Sequence, residues 1–144
     1  MIPNLIGAAW TRPDVGTLPV FNPATAEVIE EVPLSPPAEV DRAVQAAARA
    51  QRDWSHASIL DRTRLMFRYK ALLDARAEEL AAIVTRHHGK TLDEARGEVR
   101  RGIEVVDFAC GAPTLLQGAT LRQVSAEVDQ NVYRYPVGVV AADS

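Results

Sequence analysis

The 144-residue chain has a single cysteine and no long apolar run. One cysteine excludes an internal disulfide framework and fits a reducing compartment. A membrane-spanning helix needs about 18 consecutive apolar residues, and no stretch approaches that length. Residues 1–5 lack the charged leader and apolar segment of a secretory signal. We therefore expect a cytoplasmic protein with no membrane partner.

Lysine is also scarce, since it occurs only at Lys70 and Lys90, and the formal net charge is −3. The arginines are scattered along the chain, whereas nucleic-acid binding requires a concentrated basic face. Hydrophobic residues make up 47% of the chain and charged residues 24%, which is ordinary for a globular protein. The composition therefore predicts one globular domain, or a piece of a larger one, with no nucleic-acid partner.

Motifs for phosphate, dinucleotide or metal binding are missing from the sequence. None of the eight glycines belongs to a G-x-G-x-x-G pattern. Residues 89–91 (Gly-Lys-Thr) resemble the end of a phosphate loop, but Val84 stands where that pattern requires glycine. His87 and His88 would point about 100° apart on a helix, and His56 is the one other histidine. We predict no cofactor-binding residue and no metal site in this chain.

The spacing of apolar residues predicts an α+β arrangement in three parts. Residues 1–118 contain a β-hairpin, with strands near Val20 and Ile29, followed by a layer of about four helices. Residues 119–135 interleave apolar and polar side chains, which predicts an exposed β-arm. The apolar run in residues 136–144 predicts a strand buried on both faces, which has no sheet to join within this chain.

Local signals mark where the helices begin and end. Residues 58–61 resemble a capping box, and Thr91 with Glu94 forms a second one. Gly89 lies between them as the expected left-handed end of a helix. The helix that follows Thr91 carries an apolar stripe as far as Cys110 and should stop near Pro113.

Several stretches resemble the aldehyde dehydrogenase superfamily in their order and spacing. They are Asn22-Pro23-Ala24-Thr25 with Glu27-Val28-Ile29, Val40-Asp41-Arg42-Ala43-Val44 leading to Trp54, Glu78-Glu79-Leu80-Ala81, Gly89-Lys90-Thr91, Glu94-Ala95-Arg96-Gly97-Glu98-Val99 and the segment 133–139. The segment 97–104, with residues 109–113 and 133–136, is most similar to the coenzyme A-acylating methylmalonate semialdehyde dehydrogenases.

The resemblance implies a role for each part of the chain. It makes residues 1–118 an amino-terminal hairpin and helical layer, residues 119–135 a β-arm for oligomerisation, and residues 136–144 the start of a dinucleotide-binding domain. The full-length family uses NAD and coenzyme A to convert methylmalonate or malonate semialdehyde to an acyl-CoA. The family's catalytic cysteine, catalytic glutamate and NAD-binding segments would follow Ser144. We therefore expect a truncated amino-terminal part that is inactive alone.

Two residues have competing interpretations. Cys110 could be a nucleophile. However, it lies on the apolar side of a predicted helix without a neighbouring His or Lys to activate it, which favours a buried structural thiol. Arg101 lies well over 90° from the apolar stripe, which predicts a solvated side chain, or one paired with Glu98 or Glu104. In the resembling dehydrogenases an arginine at this position recognises the substrate carboxylate, a task that suits its planar fork.

A noncatalytic function is the alternative. An exposed strand presents unpaired backbone groups to other chains. The chain would then be an interaction module that pairs through its β-arm with itself or with a full-length relative.

Overall fold

Two antiparallel hairpins open the chain in this computed structural model, which describes residues 1–142. β1 (Asn4–Ile6) pairs with β2 (Ala9–Thr11), and β3 (Thr17–Phe21) pairs with β4 (Val28–Pro33). The sequence predicted the second hairpin, and the structure adds the first. Its tight turn is possible because Gly7 takes a φ of 62°, which costs glycine little.

A layer of helices follows the hairpins. Its members are α1 (Pro37–His56), α2 (Ile59–Ala75), α3 (Ala77–His88), α4 (Leu92–Cys110) and the single-turn α5 (Ala112–Leu115). The helices α2 and α3 both pack against α4. The α+β prediction is confirmed. The structure contains the four predicted helices and one additional short helix, α5.

Hydrogen bonds confirm the predicted starts of α2 and α4 and the predicted end of α3, whereas α4 ends at Cys110 and Pro113 lies in the following turn α5. The Ser58 hydroxyl accepts a bond from the Asp61 amide at 3.1 Å. Thr91 and Glu94 form a complete capping box, in which each side chain bonds to the other residue's backbone amide. Gly89 ends α3 in the left-handed conformation, with φ 69°.

Gly89 also brings two distant motifs into contact. A Cβ atom built on Gly89 would lie 2.9 Å from Cγ of Pro23 and 3.1 Å from the amide nitrogen of Ala24. The turn between β3 and β4 is therefore packed directly on the end of α3. Only a residue without a side chain fits both the backbone angle and this contact.

We expect Gly89→Ala to destabilise the chain by about 2 kcal/mol, since an L-residue is strained at this φ and the methyl group overlaps Pro23. Gly97→Ala is the matched control. Gly97 lies inside α4, and a Cβ atom added to it would meet nothing within 4 Å, so the same change should stabilise by about 0.5–1 kcal/mol. Urea unfolding followed by helical circular dichroism measures both. Equal effects of the two substitutions would contradict the expected contact.

The predicted arm is an exposed antiparallel hairpin. β5 (Ala119–Ser125) pairs with β6 (Val128–Val132), and every residue of both strands is exposed. The pairing is irregular between Leu121 and Ser125. There Gln123 takes a positive φ of 54°, and its amide donates a 2.8 Å bond to the Asp129 carboxylate. Within residues 1–142 this sheet has two strands, so no third strand covers the outer edge of either one.

The prediction of a strand within residues 136–144 is wrong for residues 136–142, which form no strand. A β-strand requires a neighbouring strand that shares its hydrogen bonds. In the part of the chain that the structure describes, each sheet consists of two sequential strands, and none of them pairs with this segment. Val137 is 92% exposed, as an unpaired apolar segment would be. Residues 143–144 lie outside the described residues.

The helical layer buries little apolar surface by itself. The solvent-accessible surface is 11143 Å², against about 7,300 Å² for a compact monomer of this mass. Among the described residues the buried ones are small: Thr63, Ala81, Ala95 and Cys110. Much of the apolar surface is therefore available to contact something else. No helix within residues 1–142 is both long and apolar enough to cross a membrane.

Candidate functional site

Arg101 lies on the exposed side of α4. Ala95 and Cys110 are buried on the opposite side, which faces the other helices. Arg101 makes no ion pair within residues 1–142: of its two predicted partners, Glu98 pairs with Lys90 and Glu104 makes no ion pair there. The structure thus agrees with a solvated arginine and leaves its planar fork open to a ligand.

Two large apolar side chains lie on the same side of α4 as Arg101. Val105 and Phe108 follow it by four and seven residues, spacings that stack side chains along one helix face. They are 69% and 70% exposed. We call Arg101, Val105 and Phe108 the Arg101 face. Sequence reasoning missed the two apolar members, although their spacing from Arg101 was a usable signal.

The Arg101 face has the chemistry to bind a small organic acid. A guanidinium can hold both oxygens of a carboxylate, and apolar neighbours exclude water from that contact. One helix face, however, supplies one wall of a pocket. Further walls must come from elsewhere for the face to enclose a ligand.

The other candidates from the sequence have structural explanations. Cys110 is a free thiol that is 7% exposed, so its predicted burial is confirmed. Residues 89–91 form the end of α3 and the start of α4, which is the arrangement predicted instead of a phosphate loop. His87 and His88 lie in the last turn of α3. No cluster of three or more potential metal ligands occurs within residues 1–142.

An exposed charge network joins α3 to α4. The Glu78 carboxylate accepts two bonds from Nε of Arg96, at 3.0 and 3.1 Å, and a third from Nη2 at 2.9 Å. These bonds hold the pKa of Glu78 below its ordinary value of 4.5. Hydrogen bonds from Thr91 lower the pKa of Glu94 in the same way. Both carboxylates therefore favour the folded state while they are ionised.

We expect acid to weaken the junction of α3 and α4. Since folding lowers the pKa of Glu78, its contribution is fully present above pH 4.5 and is lost as pH falls through the folded-state pKa. The melting temperature should drop over that range, and Glu78→Gln should make the drop shallower. The effect should be modest, because exposed pairs are screened by water.

Glu104→Gln is the control for this acid titration, since Glu104 makes no ion pair in the described residues. Thermal melts across this pH range test the expectation. Identical pH profiles for wild type and Glu78→Gln would show that the network does not couple folding to pH.

The sequence profile of the aldehyde dehydrogenase family matches residues 10–142. The chain belongs to the aldehyde dehydrogenase family. It is 46% identical over 141 residues to a malonate-semialdehyde dehydrogenase of Bacillus pumilus, a match that covers 97% of this chain. A second malonate-semialdehyde dehydrogenase, from Geobacillus kaustophilus, is also 46% identical and covers 98% of it. The chain spans about 29% of the length of these curated relatives.

Solved structures agree with the sequence matches. A methylmalonate-semialdehyde dehydrogenase of Oceanimonas doudoroffii superposes with a TM-score of 0.81 at 39% identity, over 86% of this chain and 25% of its own. A Sinorhizobium meliloti protein described as methylmalonate-semialdehyde dehydrogenase, solved with NAD, gives 0.85 at 34% identity, over 92% and 27%. The small α+β fold of this chain is therefore the fold of the corresponding part of these enzymes.

Proposed function

We propose that this chain is the amino-terminal portion of an NAD-dependent, coenzyme A-acylating aldehyde dehydrogenase. Its substrate class is malonate or methylmalonate semialdehyde, which the full enzyme oxidises to an acyl-CoA. The observation that carries this assignment is the 44–46% identity to malonate-semialdehyde dehydrogenases over nearly the whole chain. Those relatives are more than three times as long, so the activity belongs to the longer protein.

The described residues do not fit NAD or coenzyme A by themselves. A dinucleotide site needs a glycine-rich turn that leads into a helix, where free backbone amides meet the pyrophosphate. Within residues 1–142, the long helix α4 instead begins at a capping box in which side chains bond to the backbone amides of Thr91 and Glu94. We assign binding of both cofactors to the part of the longer protein that this chain does not contain.

Within this function, Arg101 recognises the carboxylate that distinguishes the semialdehyde substrates from simple aldehydes. It is exposed, has no ion pair in the described residues, and projects beside Val105 and Phe108. The longer protein would supply the remaining walls of the pocket. The surface of 11143 Å² fits that role, since a large apolar area is available for packing.

The three parts of the chain keep the roles that the resemblance implies. Residues 1–118 form the layer that carries Arg101, residues 119–135 reach towards another subunit, and residues 136–144 begin the dinucleotide-binding domain. Paired with neighbouring strands of that domain, the apolar segment 136–142 would gain the hydrogen bonds it lacks here.

A chimeric enzyme tests the function. Residues 1–142 are fused to the remaining sequence of the Bacillus pumilus relative, and NADH formation is followed with coenzyme A present. We expect acyl-CoA formation from malonate semialdehyde and much slower turnover of propanal, which lacks a carboxylate. A folded chimera that prefers propanal would refute the substrate assignment.

A second function is favoured by the arm. Every residue of β5 and β6 is exposed, and both outer edges are free to pair with another chain. The chain would then act as a noncatalytic module that associates with itself or with a full-length relative.

We expect the 144-residue chain to self-associate as concentration rises, because the arm and the segment after it expose apolar residues such as Tyr135 and Val137. A chain that ends at Gly118 lacks both features and should associate less than the full chain at every concentration. Static light scattering of the two chains over the same concentration range provides the comparison. A full chain that stays monomeric at high concentration would contradict self-association and would restrict the module to pairing with a full-length relative.

A further inference from the structure

A cleft of about 520 Å³ lies away from α4, where the end of α1, the start of α2, α5 and the segment after the arm meet. Its polar lining includes Arg62, Gln117, Arg134 and Tyr135. Two arginines thus border one cleft whose lining contains no acidic residue. Positive charge without a neutralising partner attracts an anion.

Arg62 has a buried side-chain nitrogen without a hydrogen-bond acceptor in the described residues. The residue is half-buried in the first turn of α2, and the nitrogen is its Nε atom. A buried donor left in this way costs free energy. Arg64, two residues later, differs from Arg62 in this respect, because its guanidinium bonds to the Asp61 carboxylate at 2.8 Å.

Arg134 supplies the second charge from outside the helices. It follows β6 in the exposed segment that closes one side of the cleft, and it makes no ion pair within residues 1–142. Gln117 and Tyr135 also line the cleft, and their side chains carry an amide and a hydroxyl that can donate hydrogen bonds. Two charged and two neutral donors are a set suited to the several oxygens of an oxoanion.

We propose that this cleft is an oxoanion-binding site, with Arg62 and Arg134 as its charged ligands. The bound group is a carboxylate or a phosphate. A carboxylate would come from an acidic side chain of the longer protein, and a phosphate from a free phosphorylated ligand. The site is separate from the Arg101 face and does not depend on the dehydrogenase function.

The test is an NMR titration of the 144-residue chain with inorganic phosphate, and in parallel with acetate, at ionic strength held constant with chloride. We expect the backbone amide signals of Ser55 and Gln117 to shift and saturate. Arg62→Gln and Arg134→Gln should each raise the dissociation constant roughly tenfold, as expected for loss of a charge-assisted bond. Arg134 lies outside the helices, so its variant tests the site even if Arg62→Gln fails to fold.

Arg64→Gln is the matched control, because Arg64 lies on the same helix turn and is already paired with Asp61. It should bind as tightly as wild type. Tighter binding of acetate than of phosphate identifies a carboxylate as the occupant, and tighter binding of phosphate identifies a phosphorylated ligand. Absence of saturation with either anion, or an equal loss in Arg64→Gln, overturns the proposal.

Discussion

Arg101→Ala is expected to lower kcat/KM for methylmalonate semialdehyde by about two orders of magnitude in the chimeric enzyme. Loss of a charge-assisted bidentate contact costs about 2–3 kcal/mol in the transition state, which corresponds to that factor. The expectation depends on the open geometry of Arg101, whose side chain has no ion pair to break within the described residues. Steady-state NADH formation over a range of substrate concentrations measures the effect.

Three comparisons separate carboxylate recognition from a structural effect of Arg101. Propanal has no carboxylate, so its kcat/KM should change several-fold at most. Arg101→Lys should recover part of the loss, since an ammonium cannot form the same fork. Arg100→Ala is the control, because the neighbouring side chain points about 100° around α4. Equal losses on both substrates would mean that Arg101 supports folding, and no loss on either would leave it a solvated surface arginine.

The helix ends could be predicted from the sequence because their signals are local. The left-handed Gly89 and the box formed by Thr91 and Glu94 depend on residues within one turn of each other. The contact of Gly89 with Pro23 could not be predicted in this way. It joins two motifs that are far apart in sequence, and only the packing of the β3–β4 turn on α3 brings them together.

The candidate site was predicted in part for a similar reason. Periodicity identified the buried side of α4 and therefore placed Arg101 on the exposed side. The four- and seven-residue spacing of Val105 and Phe108 from Arg101 was a second signal, but it lies outside the apolar stripe that identified the packed side and was therefore missed. The cleft at Arg62 and Arg134 also escaped sequence reasoning, because four separate segments meet there.

The apolar segment after Pro136 shows where a local pattern misleads. Its composition is typical of a buried parallel strand, but a strand also requires neighbours to share its hydrogen bonds. In the part of the chain that the structure describes, Val137 and Val140 are instead 92% and 74% exposed. The composition of the segment predicts a buried strand, but without a neighbouring strand to pair with, residues 136–142 form none.

The 144-residue chain is expected to bind no NAD and to oxidise no aldehyde when tested alone. Cys110 is its one thiol, and it is 7% exposed on the packed side of α4, where an aldehyde carbon cannot approach it. At the start of α4 the backbone amides of Thr91 and Glu94 are already bonded within the capping box, and the Asp93 and Glu94 carboxylates in its first turn repel a pyrophosphate. Calorimetric titration with NAD and an assay of NADH formation test both statements, with the chimeric enzyme as positive control. Saturable micromolar binding by the chain alone would place a nucleotide site among these helices and defeat the assignment of NAD to the longer protein.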